Sequence, residues 1–148
     1  MELSEVNVRD LIVALNQASL ARDFEAMKAG YAPDAVLEID LGREKKHFSR
    51  DEYFNALVKN NKNVTSYTYE SEGMKIDIQG KEGLVHQTVV ESTQGSGPGL
   101  VRSKTEAAYK VRIVGGKPRI TRVDAKVIIA RASSPLELGS EENGGQVP

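Results

Sequence analysis

Thr105–Ala130 reads TEAAYKVRIVGGKPRITRVDAKVIIA, and its alternation decides the fold. On the first arm Ala107, Tyr109, Val111 and Ile113 are the apolar positions, with Glu106, Lys110 and Arg112 between them. On the second arm Val123, Ala125, Val127 and Ile129 alternate with Arg122, Asp124 and Lys126. Period two on both arms predicts two strands, each with one buried and one wet face. Gly115-Gly116-Lys117-Pro118 stands between them as a turn signal, so the stretch is a long antiparallel hairpin. A two-residue Gly-Gly loop would set Tyr109 against Arg122 and turn one apolar face outward. The pattern therefore predicts a three-residue loop, Gly115 to Lys117, pairing Val111 with Thr121, Tyr109 with Val123 and Ala107 with Ala125.

Working outward, the 148-residue chain is of a size for one domain with one sizeable core. Its 20 basic and 21 acidic residues give a formal charge of −1, which favours neither nucleic acid nor an anionic membrane as partner. The cluster Arg43, Lys45, Lys46, His47 reads as a solvated loop. With no cysteine there are no disulfides, no thiolate chemistry and no cysteine metal ligands. The opening MELSEVNVRD is polar and acidic, unlike a signal peptide, and no apolar run approaches the ~20 residues of a membrane helix. The expectation is a soluble cytoplasmic protein.

In chain order, Asn7 is read as the cap of a helix running to about Ala21, with Val8, Leu11, Ile12, Leu15 and Ala18 as its apolar stripe. Asp23 caps a second helix carrying Phe24, Met27 and Tyr31 and stopped by Pro33. Ala35–Asp40 is a short strand with Ala35, Leu37 and Ile39 on one face and Glu38 and Asp40 on the other; Gly42 to His47 is a polar loop. Ser49-Arg50-Asp51-Glu52 is a capping box that starts a third helix, flanked by Phe48 and Tyr53 as a hydrophobic staple. From Val64 the period becomes two, with Tyr67 and Tyr69 alternating with polar residues, a bend or bulge at Gly73, and a turn over Gly80 to Gly83. Leu84 to Thr93 is a strand whose two faces, Leu84, His86, Thr88, Val90 and Val85, Gln87, Val89, Glu91, are both partly apolar. Gly95 to Gly99 is a flexible hairpin loop; a strand follows it and the spacing is wrong for a phosphate cradle. Residues 133–148 are expected to be a disordered tail, leaving 1–132 as the folded domain. The fold class is α+β, with helices on one face of an antiparallel sheet.

Asp23 to Leu41 with its Tyr-Ala-Pro-Asp-Ala-Val run, Ser49 to Leu57 and Thr105 to Ala130 together resemble the nuclear transport factor 2-like superfamily. This is the cystatin-like cone fold shared with ketosteroid isomerase-like, polyketide cyclase-like and SnoaL-like proteins. The resemblance, over about Val8 to Ala130, implies three N-terminal helices on a strongly curved antiparallel sheet that forms a cone with a pocket. It also implies a homodimer through the outer sheet face, with Glu106 facing Lys126 and Lys110 beside Arg122. That like-charge pair needs acid nearby, expected from Glu70 or Glu91 of the partner sheet beside Val85 and Val89. The isomerase-like carboxylate base falls at Ile39, the first oxyanion tyrosine at about Leu15 and the second donor at about Tyr109, so steroid isomerisation is not expected.

The hairpin's apolar face directs Tyr109 inward, and the resemblance directs His86 and Thr88 inward on the neighbouring strand. His86 and Tyr109 are thus the candidate acid–base residue and hydrogen-bond donor, weighed against a histidine that is simply part of the core. Tyr31, Tyr53, Tyr67, Thr88, Ala107, Val123 and Ala125 are candidate ligand-lining residues, the two alanines leaving room beside Tyr109. No metal or cofactor is expected, since the two histidines lie far apart with no carboxylate at ligand spacing. Two classes stay open: a pocket enzyme of isomerase, dehydratase, cyclase or hydrolase type, and a non-catalytic ligand-binding or dimerisation domain. The favoured reading is a pocket protein for a small, largely apolar molecule, with no reaction assigned.

Overall fold

A computed structural model describes residues 1–95 and 100–132, the side chains of 100 and 129–132 excepted. The elements are α1 (Glu5–Leu20), α2 (Phe24–Ala29), β1 (Tyr31–Asp40), β2 (Lys45–Ser49), α3 (Arg50–Asn61), β3 (Ser66–Gln79), β4 (Glu82–Gln94), β5 (Leu100–Val114) and β6 (Lys117–Ala132). They form an α+β fold in which three helices pack on one curved six-stranded sheet of order β2-β1-β6-β5-β4-β3. The sheet is open and antiparallel-dominated, as expected, with β1 and β6 running parallel. No helix among the described residues is long and apolar enough to cross a membrane. The loop expected up to Gly99 (Gly95 apart) and the tail from 133 lie outside the described residues.

The central hairpin reaches two of its three expected pairs, and by a different route; Val111 opposes Ile120 and not Thr121. Its loop has two residues, Gly115 (φ 60°) and Gly116 (φ 82°), with Val114 paired to Lys117. Positive φ at both positions is what a tight hairpin loop requires, and glycine supplies it without steric cost. That loop alone would put the faces out of phase, as the sequence argument held. An extra residue on β6 repairs the phase: Val111 pairs with Ile120, Lys110 pairs with Arg122, and Thr121 is the bulge between them. Beyond it Tyr109 opposes Val123 and Ala107 opposes Ala125, as expected.

Local signals set the helices. Ser4, rather than Asn7, caps α1: Asn7 N–H donates to Ser4 Oγ at 3.1 Å and Ser4 N–H to Asn7 Oδ1 at 2.9 Å. Asn7 thus sits three residues inside as the reciprocal half of the box. Val8, Ile12 and Leu15 of the expected stripe are buried. Each such side chain contributes roughly 1.5–3 kcal/mol on leaving water. Asp23 caps α2 and Ser49 with Glu52 caps α3, both as read. The staple beside it is an edge-on contact of Phe48 and Tyr53, ring centroids 5.7 Å apart.

Two boundaries differ from the sequence reading. Helix α2 ends at Ala29 with Gly30 as its cap, and Tyr31 already opens β1, because the Ile120 N–H takes the Gly30 carbonyl at 2.8 Å. Pro33, with no N–H to donate, lies in the irregular stretch between Tyr31 and Val36 where β1 departs from β6. Lys45–Ser49 is a strand rather than part of a polar loop, pairing Asp40 with Lys45 through Val36 with Ser49. It is an edge strand whose lysines and His47 stay exposed, so only Phe48 turns partly inward and no alternation marks it.

Candidate functional site

In an antiparallel ladder directly opposed residues share a face. Because Tyr109 and Ala107 point into the cone, their partners Val85 and Gln87 on β4 do too, followed by Val89 and Glu91. Gln87, only 4% exposed, is the centre of a polar cluster joining α1, β3, β4 and β5. It exchanges amide hydrogen bonds with Asn16 of α1, 3.1 Å in each direction. Its Nε2 also donates to the Tyr109 hydroxyl at 3.1 Å, Ser71 donates to its Oε1 at 3.1 Å, and Tyr69 donates to Asn16 Oδ1 at 2.9 Å. Every buried amide atom of the pair is thereby satisfied, which makes the cluster a rigid support for both phenols.

Above it lies a cavity of about 310 Å³ between the helices and the sheet. The chain has five tyrosines, and all of them, Tyr31, Tyr53, Tyr67, Tyr69 and Tyr109, line this space. Burial pushes each phenol above its ordinary value, and the Glu91 carboxylate raises Tyr53, Tyr67, Tyr69 and Tyr109 further. Glu91 therefore sits electrostatically among the phenols and accepts a 2.5 Å hydrogen bond from Tyr67. Arg22 lies over the faces of Tyr67 and Phe24, its guanidinium carbon 4.2 and 5.0 Å from the ring centroids. Its Nε donates to Asn61 Oδ1 at 2.9 Å. Tyr31 and Tyr53 are wedged edge-on against Phe54, at 5.2 Å in both cases. Among the described residues neither of these two hydroxyls has a hydrogen-bond partner in the protein.

Of the residues read from sequence, Tyr109, Tyr31, Tyr53, Tyr67, Ala107, Val123 and Ala125 meet around this cavity. His86 and Thr88 do not, which corrects their expected inward direction. His86 opposes Ala108 and Lys75 on the outer face and is exposed. The reason is the β4 phase: a strand with apolar residues on both sides takes its direction from its partner, and Ala108 faces out. The outer face has its own trough of about 980 Å³, bordered by His86, Thr88, Glu106, Asp124, Lys126 and Glu38 among others. Glu91, Val85 and Val89, expected on that face, are inside the cone. The acid that Lys110 and Arg122 need comes from their own chain. Arg122 bonds Asp124 at 2.9 Å and Glu38 at 3.1 Å, and Arg122 holds the Asp124 carboxyl below its usual range. His47 is exposed, 3.7 Å from Glu38. Among the described residues no group of three or more His, Asp or Glu side chains is placed to hold a metal ion. Sequence reasoning missed Arg22 and Glu91 as cavity groups and Asn16 and Gln87 as the polar cluster beside them; the Gln87/Ala107 register is the signal that finds Gln87 and Glu91.

No protein-family model and no curated protein matches the chain in sequence. Solved structures do match in shape. A Novosphingobium aromaticivorans protein provisionally named an aromatic ring hydroxylase superposes with TM-score 0.70 at 16% identity, over 87% of this chain and 92% of that one. A Streptomyces avermitilis protein, provisionally a dehydratase of the NTF2-like family, gives 0.66 at 19% identity over 84% and 95%. A Nostoc punctiforme protein of unknown function with a cystatin-like fold gives 0.60 at 17% over 92% and 99%. The chain has the nuclear transport factor 2-like fold.

The phenols supply a direct check of this geometry. Raised pKa values mean that stability is fully present below the unfolded tyrosine value of about 10 and is lost as pH rises past it. The chain has no tryptophan, so phenolate absorbance near 295 nm should appear only as the protein unfolds in alkali. A tyrosine ionising at pH 10 in the folded protein would contradict the site.

Proposed function

We propose that the cone binds a small, largely apolar molecule carrying a hydroxyl or carbonyl oxygen, which Tyr31 and Tyr53 hold by donating hydrogen bonds. The observation that carries this reading is the contrast between two neighbouring groups of polar side chains. In the Asn16–Gln87 cluster every polar group is answered by another; on the cavity wall the Tyr31 and Tyr53 hydroxyls make no hydrogen bond to the protein among the described residues. Neither hydroxyl is sealed away, since the buried polar side-chain atom left without a partner among those residues is Arg119 Nε, so both can donate to a ligand oxygen in place of water. The remaining lining, with Leu37, Ile39, Phe48, Leu57 and Val123, suits a flat apolar body.

Turnover of that molecule by acid–base chemistry is a second reading, favoured by one observation. The Glu91 carboxylate faces the same cavity as the neutral phenols, so a proton acceptor and oxygen-binding donors converge there. His86 and its outer face are assigned no part in it. The position corresponding to the isomerase-like base is Ile39, an apolar wall residue, and steroid isomerisation stays outside the proposal. The outer trough, with Glu106 opposite Lys126 and both charge signs present, is proposed to seat a second copy of the chain. A dimer at tens of micromolar in sedimentation velocity supports that; a monomer contradicts it.

Titration with 2-naphthol, followed by quenching of tyrosine emission and by melting temperature, tests the binding reading. Saturable binding with a raised melting temperature is the expected result. The paired change Tyr31→Phe and Tyr53→Phe should weaken it about tenfold, as loss of two neutral hydrogen bonds of ~0.5–1.5 kcal/mol each implies. Affinity unchanged in the double variant would remove the two phenols from the site.

A further inference from the structure

Arg22 is the only non-glycine residue among those described whose backbone lies at positive φ, 56°. Its position explains the geometry. Arg22 N–H bonds the Ser19 carbonyl at 3.1 Å and Asp23 N–H the Ala18 carbonyl at 2.9 Å, the paired bonds that end a helix through one left-handed residue. Glycine is the residue this conformation favours, and any side chain there is strained. An arginine in that place calls for a use of its side chain.

The side chain is held on three sides and left without a carboxylate at its end. Asn61 takes the Nε hydrogen, while Tyr67 and Phe24 carry the guanidinium on their ring faces. Among the described residues only Arg22 Nε makes a hydrogen bond of full geometry; the guanidinium also acts on the Tyr67 hydroxyl, favouring its ionised form, and no carboxylate lies within ion-pair distance of Arg22. A guanidinium fixed in plane with no carboxylate on its outer edge presents two parallel N–H donors, the fork that matches a carboxylate.

The charge of the cavity points the same way. Its lining includes two cations, Arg22 and Lys46, and one anion, Glu91; Lys46 has Glu44 at 4.0 Å, which leaves Arg22 as the lining cation without a carboxylate within ion-pair distance among the described residues. Glu91 is already engaged by the Tyr67 hydroxyl. A monoanion matches that one uncommitted cation, whereas a phosphate dianion would overshoot it. Building on the binding reading above, we infer that the ligand is an aromatic or alicyclic monocarboxylate, its ring among the tyrosines and its carboxylate on the outer edge of Arg22. Lys46, half-exposed and 4.0 Å from Glu44, stands at the rim as a secondary attraction for the anion.

Calorimetric titration of the full chain with three probes of one ring system, 2-naphthoate, 2-naphthamide and 2-naphthol, tests this. The acid should bind at least tenfold more tightly than the amide at pH 7 and low salt. Arg22→Gln should cost the acid about tenfold and leave the amide within twofold, and Arg22→Lys should restore part of the preference. Circular dichroism of both variants, taken alongside, reports whether they fold. Equal affinity of acid and amide for the unaltered protein overturns the inference while leaving the binding reading in place. Equal weakening of all three probes in a folded Arg22→Gln protein also overturns it, since Arg22 would then only fasten α1 to α3. Absence of binding by every probe at millimolar concentration overturns both readings together.

Discussion

Pairing of Val85 with Tyr109, and of Gln87 with Ala107, commits β4 to one of its two faces, and the contents of the cone follow from that commitment. Opposed residues in an antiparallel ladder cannot point to different sides. Once Tyr109 is inside, Gln87 and Glu91 come in with it and His86 goes out. The Thr121 bulge on β6 belongs to the same constraint, because it returns Val123 and Ala125 to the interior after a hairpin loop that would have turned them away. A shift of one residue between β4 and β5 would bring His86 in and put Glu91 out, and a shift at the bulge would put charged β6 residues such as Arg122 and Asp124 where Val123 and Ala125 now lie.

What the committed face buries is polar as well as apolar, and the two polar groupings behave differently. Asn16 and Gln87 satisfy each other and two phenols, so their burial costs little and gives the helix–sheet junction a unique geometry. Tyr67, Glu91 and Arg22 form a second grouping in which opposite charges lie at the hydroxyl and on the face of one ring. Desolvation first holds the phenols neutral, followed by Glu91 for Tyr53 and Tyr67 and by Tyr109 for Tyr69 and Tyr31, which makes them donors over the whole physiological range. Tyr31 and Tyr53 are where donor capacity is left over. On the proposed binding reading, the guest sits against that unsaturated wall.

Much of this architecture was legible in the chain. Ser49 to Glu52 with Phe48 and Tyr53 announced α3, Gly73 marked the irregularity in β3, and alternation in Thr105–Ala130 yielded the Tyr109/Val123 and Ala107/Ala125 pairs. Those signals are local, and local physics settles them. The edge strand β2 carried no such signal, since exposed lysines and His47 hide a period-two pattern that only Phe48 completes. The direction of β4 was not local either. Leu84, His86, Thr88 and Val90 are as apolar as Val85, Gln87, Val89 and Glu91, so only the register with β5 decides between them. Arg22 escaped for a third reason: a left-handed arginine stacked on residues from two other elements leaves no spacing to recognise. Of the seven lining residues expected from the sequence, Ala107, Val123 and Ala125 came from the hairpin pattern, whereas the charged members Arg22 and Glu91 emerge only from tertiary pairing.

The absence of cysteine allows the β4 phase to be read by thiol labelling, one position at a time. His86→Cys and Val89→Cys each place a single thiol on the strand, at an exposed and a buried position respectively. Under native conditions the thiol at position 86 should react with Ellman's reagent at the rate of a free thiol, and the one at 89 should be strongly protected until denaturant is added. Protection at 86 with rapid labelling at 89 would mean that β4 presents its other face to the cone, and the account of the cavity given above would fail.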